Sequence, residues 1–182
     1  MTTPGEARPA RLDREAFVAR FGGVYERSPW VAAAVWDAGR VADDARALAA
    51  AMAGVVEAAG AAAQLALLRA HPDLAGRLAV QGALTRESAA EQAGAGLDRC
   101  TQAEFAQFQS LNAAYKARFG FPFIVAVKGL DRAAILGAFR RRVANDRETE
   151  FREALDQVHR IARLRLLALA GAAQDPAGPA RG

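Results

Sequence analysis

Apolar residues recur at spacings of three and four along most of the chain, which is the period of an α-helix and predicts a series of helices broken by glycine, proline and capping residues. Asp13 caps a short helix bearing Phe17, Val18 and Phe21, stopped by Gly22 and Gly23. Ser28 and Pro29 read as an N-cap and a first-turn proline, opening a helix through Trp30, Val31 and Val35 to Gly39. Ala45, Leu48, Met52, Val55, Val56 and Ala59 form one stripe on a third helix ending at Gly60. Residues 61–70 continue as a helix carrying Leu65, Leu67 and Leu68. It must stop near His71, because Pro72 disfavours the α conformation in its predecessor.

A further helix covers about residues 86–94, before the loop AGAGLD. Thr101 and Glu104 make a capping box for a long helix through Phe105, Phe108, Leu111 and Tyr115. Asp131 caps another with Ile135, Ala138, Phe139 and Val143, and a last helix runs from about 147 to 170. The segment 119–127, FGFPFIVAV, is the exception: its glycine, proline and β-branched residues predict an extended, buried connection. With no alternation of strand and helix signals, the fold class expected is all-α, a single-domain bundle of about eight helices spanning residues 12–173. Residues 1–11 and 174–182, rich in Pro, Gly and small residues, are expected to be flexible ends.

Composition narrows the chemistry. At 182 residues with 52% hydrophobic and 24% charged positions, one core suffices without disulfide or structural metal. Cys100 is alone, which excludes an intramolecular disulfide and a thiolate cluster, and His71 and His159 are too far apart for a local metal motif; no metal is expected. The 24 basic and 20 acidic residues leave a formal charge of +4, but the basic residues are almost all scattered arginines. The longest run, Arg140 to Arg142, reads as a solvated helix face, so no nucleic-acid partner is expected. The N-terminus carries charge and proline where a secretion signal needs an apolar stretch, and Leu166 to Ala173 is too short to cross a bilayer. No membrane partner is expected, and the expected location is cytoplasmic.

Phosphate loops, dinucleotide fingerprints, zinc-protease helices and serine elbows are all missing from the sequence. Three features remain. His71 in HPDLAGR is of a residue type able to titrate near neutrality and is fixed at a helix end; it is either a catalytic group or a side chain bonded to the helix terminus. Ser88, Glu91 and Gln92 share one helical face, although Ser88 and Glu91 also match a capping box. Arg165 interrupts the apolar ladder Phe151, Ala154, Leu155, Val158, Ile161, Ala162, Leu169. A guanidinium there needs a carboxylate from the protein, another subunit or a ligand, or must reach water. His159, beside the same stripe, reads as a surface or interface residue.

Taken together, SPWV at 28–31, HPDLAGR at 71–77, ESAAEQAGAGL at 87–97, LNAAYKARFGFPFIVAV at 111–127 and IARLRL at 161–166 resemble the 2-oxo-4-hydroxy-4-carboxy-5-ureidoimidazoline (OHCU) decarboxylases of urate breakdown. The resemblance covers about residues 13–170. It implies an all-helical enzyme without cofactor, a homodimer that removes carbon dioxide from a small ureidoimidazoline and delivers (S)-allantoin. It also implies that His71 is the catalytic histidine, Glu91 its partner acid, and Pro72, Ser88, Gln92, Phe123, Ile124, Val125, Ala126, Val127 and Arg165 the substrate-contacting positions. The competing readings are a non-catalytic helical interaction module and an enzyme of the same fold acting on another ureide.

Overall fold

The computed structural model describes residues 8–75 and 84–174, which form eight α-helices with no β-strand among them. The helices are α1 (Arg14–Phe21), α2 (Trp30–Asp37), α3 (Ala45–Ala58), α4 (Ala61–Arg69), α5 (Arg86–Gly94), α6 (Gln102–Phe119), α7 (Arg132–Arg142) and α8 (Arg147–Gln174). Single 3-10 turns occupy Pro9–Arg11 and Leu97–Arg99. The expected all-α class and helix count hold. Gly76 and Arg77 of the HPDLAGR motif lie outside the described residues, as do residues 1–7 and 175–182 of the expected flexible ends. No single helix among the described residues is long and apolar enough to cross a membrane.

Local chemistry sets most helix boundaries. Asp13, Asp44 and Asp131 each accept a backbone N–H from the first turn at 2.8 Å, and the Thr101–Glu104 box closes at both of its hydrogen bonds. Two expected caps are corrected. Ser28 does not cap α2 through its side chain: the hydroxyl donates to the Glu26 carbonyl at 3.0 Å, and α2 begins after Pro29. Thr85, which has the extended backbone that a cap requires, accepts from the Ser88 N–H at 3.3 Å. Ser88 therefore sits inside the first turn of α5, and the Ser88–Glu91 capping box does not form.

Contacts divide the chain into two compact units, one made of residues up to Gln64 together with those from His159 onward, the other of Leu65–Val158. In the first, α1 packs on α2 and α2 on α3, with Phe17, Val35, Met52 and Val56 fully buried. In the second, Tyr115 lies at the centre of an aromatic cluster, its ring 4.6 to 5.8 Å from those of Phe119, Phe121, Phe123 and Phe139. Phe123 and Phe139 stack at 3.9 Å. Such pairs contribute about 0.5–1.5 kcal/mol each beyond the area they bury.

The extended connection follows from its residues. Gly120 ends α6 at φ +81°, and Pro122 pushes Phe121 away from the helical region. From Phe121 to Ile124 the chain is buried, with no neighbouring strand among the described residues to pair its main chain. Buried backbone groups need partners, and here side chains supply them. Arg142 Nη1 donates to the Ile124 carbonyl at 2.6 Å, and the Ala126 N–H donates to Gln157 Oε1 at 2.9 Å.

Candidate active site

His71 sits where α4 ends. Its backbone N–H donates to the Leu68 carbonyl at 3.2 Å, and Pro72 prevents a further turn. The ring Nδ1 lies 3.2 Å from the Leu67 carbonyl, and because a carbonyl only accepts, Nδ1 carries the hydrogen. In the neutral ring Nε2 is then the acceptor nitrogen of this buried imidazole. The expectation that His71 bonds a helix terminus is met, and the bond is compatible with a chemical role because it uses the other nitrogen.

The turn after His71 is held by amides. Gln92, on α5, accepts the Ala75 N–H with Oε1 at 3.0 Å and donates from Nε2 to the Asp73 carbonyl at 3.4 Å. From α6, Gln109 donates to the Ala75 carbonyl at 2.9 Å and Asn112 to the Leu74 carbonyl at 3.0 Å, while Lys116 pairs with Asp73 at 2.6 Å. Gln92 thus joins the His71 turn to α5, the helix that also carries Ser88 and Glu91. Ser88 and Gln92 are buried and Glu91 is half-buried. A cavity of about 670 Å³ lies beside this turn, lined by Ala75, Gln92, Leu97 and Phe105 among others; neither His71 nor Ser88 is among its described lining residues.

The Phe123–Val127 segment belongs to the same unit. Its Ile124 carbonyl and Ala126 N–H are engaged by Arg142 and Gln157, so ligand contacts through those two groups compete with bonds inside the protein. Behind the segment lies a buried charged cluster that the sequence reading missed. Arg142 pairs with Glu150 at 2.6 Å and lies over the Phe123 ring at 4.6 Å; Glu150, with no exposed surface, also accepts from Tyr115 and from Asn145 at 2.8 Å. Burial, and then the bond to Glu150, push the Tyr115 phenol above its ordinary range. The run Arg140–Arg142 is consequently not one solvated face: Arg140 and Arg141 are exposed, whereas Arg142 is built into the core to compensate Glu150.

Arg165 is in the other unit, 7% exposed, and Nη1 reaches Glu26 Oε2 at 3.0 Å and the carbonyls of Gly23 and Val24 at 3.2 and 3.4 Å. Of the partners left open by the sequence, the protein supplies a carboxylate of its own. His159, in the same unit, is half-buried and bridges the Tyr25 hydroxyl at 2.8 Å and Glu57 at 2.9 Å. Burial, followed by the Glu57 charge, raises the Tyr25 phenol above its usual value. Among the described residues no group of three or more His, Cys, Asp or Glu is arranged to hold a metal ion.

Asn112 and Glu150 had a legible signal. Asn112 interrupts the apolar ladder Phe108–Tyr115–Phe119, as Arg165 interrupts its own, and Glu150 stands one turn ahead of the ladder Ala154–Val158–Ala162 on the same face. Glu26 lies in an irregular turn, where no periodicity marks it.

Comparison with known proteins shows the family. Residues 10–167 match the family model described as OHCU decarboxylase. The chain belongs to that family. OHCU decarboxylases are carboxy-lyases, and the curated relatives carry that name: the protein of Haloferax volcanii is 48% identical over 156 residues, covering 86% of this chain and 90% of its own. The Halalkalicoccus jeotgali relative is 46% identical, covering 86% of each. A crystal structure of (S)-allantoin synthase superposes with a TM-score of 0.70 at 36% identity, covering 88% of this chain and 52% of that one. The chain is therefore similar to decarboxylases of urate degradation in sequence and in fold.

Proposed function

We propose that this chain converts OHCU to (S)-allantoin and carbon dioxide, with His71 as the general acid and base. The observation that carries the reading is the imidazole at the end of α4, whose Nδ1–H is committed to the Leu67 carbonyl, so that Nε2 is the nitrogen that takes and returns a proton. Loss of carbon dioxide leaves an electron pair on the carbon it departs from, and the adjacent C=N bond of the substrate accepts that density. The substrate is its own electron sink. What the protein must add is alignment of the carboxylate, handling of the hydroxyl proton, and delivery of a proton to one face.

Glu91 is the proposed partner acid, acting on the Nε2 side because Leu67 already holds the other nitrogen. Pro72, Ser88, Gln92 and the main chain from Phe123 to Val127 are the proposed substrate contacts. Gln92 has a second Nε2–H beyond the one on Asp73. Arg165 is proposed to bind an anionic or carbonyl group of the substrate; its pairing with Glu26 keeps the guanidinium from being an isolated buried charge. A homodimer acting in the cytoplasm without cofactor, nucleic acid or membrane completes the proposal.

The test generates OHCU in situ from urate and follows the circular dichroism of allantoin. Faster turnover than the spontaneous reaction with a single enantiomer supports the reading. A racemic product at the spontaneous rate overturns it, and acceleration confined to a different ureide would assign the fold to that substrate instead.

A further inference from the structure

We propose that Asn112, with Gln109, is a positioning residue for His71: the two α6 amides hold the turn after the histidine in a conformation that it would not otherwise keep. The inference rests on the catalytic reading of His71 and adds to it the device that fixes the imidazole.

Ala75 has φ +47°, in the left-handed region that L residues other than glycine rarely adopt. Strain of this kind persists only where the surroundings over-determine it. Here three amides do so, from two helices. Gln92 takes the Ala75 N–H, Gln109 the Ala75 carbonyl and Asn112 the Leu74 carbonyl, at 2.9 to 3.0 Å. Four residues earlier, His71 is pinned to Leu67 through its ring, and the fixed φ of Pro72 stiffens the chain between the two anchors. Moving the 74–75 end of so short a span moves the imidazole.

Asn112 is the residue that distinguishes this role from ordinary packing. It is 3% exposed, on the ladder between Phe108 and Tyr115, and its Oδ1 has no hydrogen-bond partner. A buried acceptor left unsatisfied costs stability, so the side chain is not explained by packing volume alone. What the amide contributes is its Nδ2–H on Leu74. The three amides are themselves neutral; the charge at this turn is the Lys116–Asp73 pair on its exposed edge.

The substitution Asn112→Leu keeps the volume and removes the orphan acceptor. The denaturation midpoint should change little, the removed Oδ1 offsetting the Leu74 carbonyl that loses its donor, while kcat falls about 10- to 100-fold, as displacement of a reacting group by an ångström does, and KM stays near its parent value. Adding Ala75→Gly lowers the cost of the left-handed turn, and should return part of the lost kcat. Gln109→Ala, at a half-buried position, should lower kcat in the same KM-independent way and serves if Asn112→Leu does not fold. Parent kcat in either folded variant overturns the proposal, as does a loss that follows the folded fraction and is not rescued by Ala75→Gly. Should His71→Asn prove fully active, the catalytic reading itself fails; should it be inactive while Asn112→Leu is not, only the positioning role is lost.

Discussion

The turn His71–Ala75 and the segment Phe121–Val127 lie in the same unit, and both are irregular backbone that needs outside partners, but different buried groups hold them, with an ion pair only at the exposed edge of the turn. Neutral amides clamp the turn, from Gln92, Gln109 and Asn112. The segment rests on a buried ion pair, with Arg142 between Glu150, the Ile124 carbonyl and the Phe123 ring. A buried ion pair is costly to break and insensitive to what passes nearby, which suits a wall. An amide clamp contributes less stability, and the three amides bring no charge of their own to the turn.

Breaking the wall should have the largest effect on stability. Glu150→Ala leaves the Arg142 guanidinium buried without its carboxylate and should cost about 3–5 kcal/mol, read as a drop in Tm of roughly 6–20 °C for a chain of this size. Replacing both partners, Glu150→Leu with Arg142→Met, should recover most of that loss; a double variant no better than the single one would show that the pair is more than compensated charge.

A smaller effect separates the regions by pH. The Tyr115 phenol is held above its ordinary value of 10.0, first by burial and then by its bond to Glu150. The unfolded chain gives up this proton near 10.0 while the folded chain keeps it. The associated stability is therefore full below that pH and is lost as pH rises above it. The denaturant midpoint should fall between about pH 9 and pH 11, and fall less in Tyr115→Phe; equal slopes would place the alkaline sensitivity elsewhere, Tyr25 being the other raised phenol. The smallest effect is at the start of α6. Thr101→Ala removes one half of a closed capping box and should cost about 1 kcal/mol, with kcat unchanged because the cap lies at the far end of the helix from Lys116.

The sequence made the helices legible because capping and period are local. Asp13, Asp131 and the Thr101–Glu104 box open helices through bonds made within three residues, and the structure places each as expected. The reading failed where two local signals competed. Ser88 and Thr85 both suit a cap, and only the backbone conformation at residue 85 decides between them. It also failed where a partner is distant in sequence. That Arg142 meets Glu150, and that Asn112 meets Leu74, depends on how helices pack, so a polar residue on an apolar stripe announces a role without naming its counterpart. The position of His71 at a helix end was legible through Pro72; which ring nitrogen carries the hydrogen needed the Leu67 carbonyl.

The most direct measurement is the turnover of OHCU by His71→Asn. The asparagine amide can still donate to the Leu67 carbonyl, so the helix end keeps its bond while the titrating nitrogen is gone. Turnover should drop about 100- to 10,000-fold with the melting temperature little changed. A folded His71→Asn enzyme that still delivers a single enantiomer of allantoin at the parent rate would contradict the account.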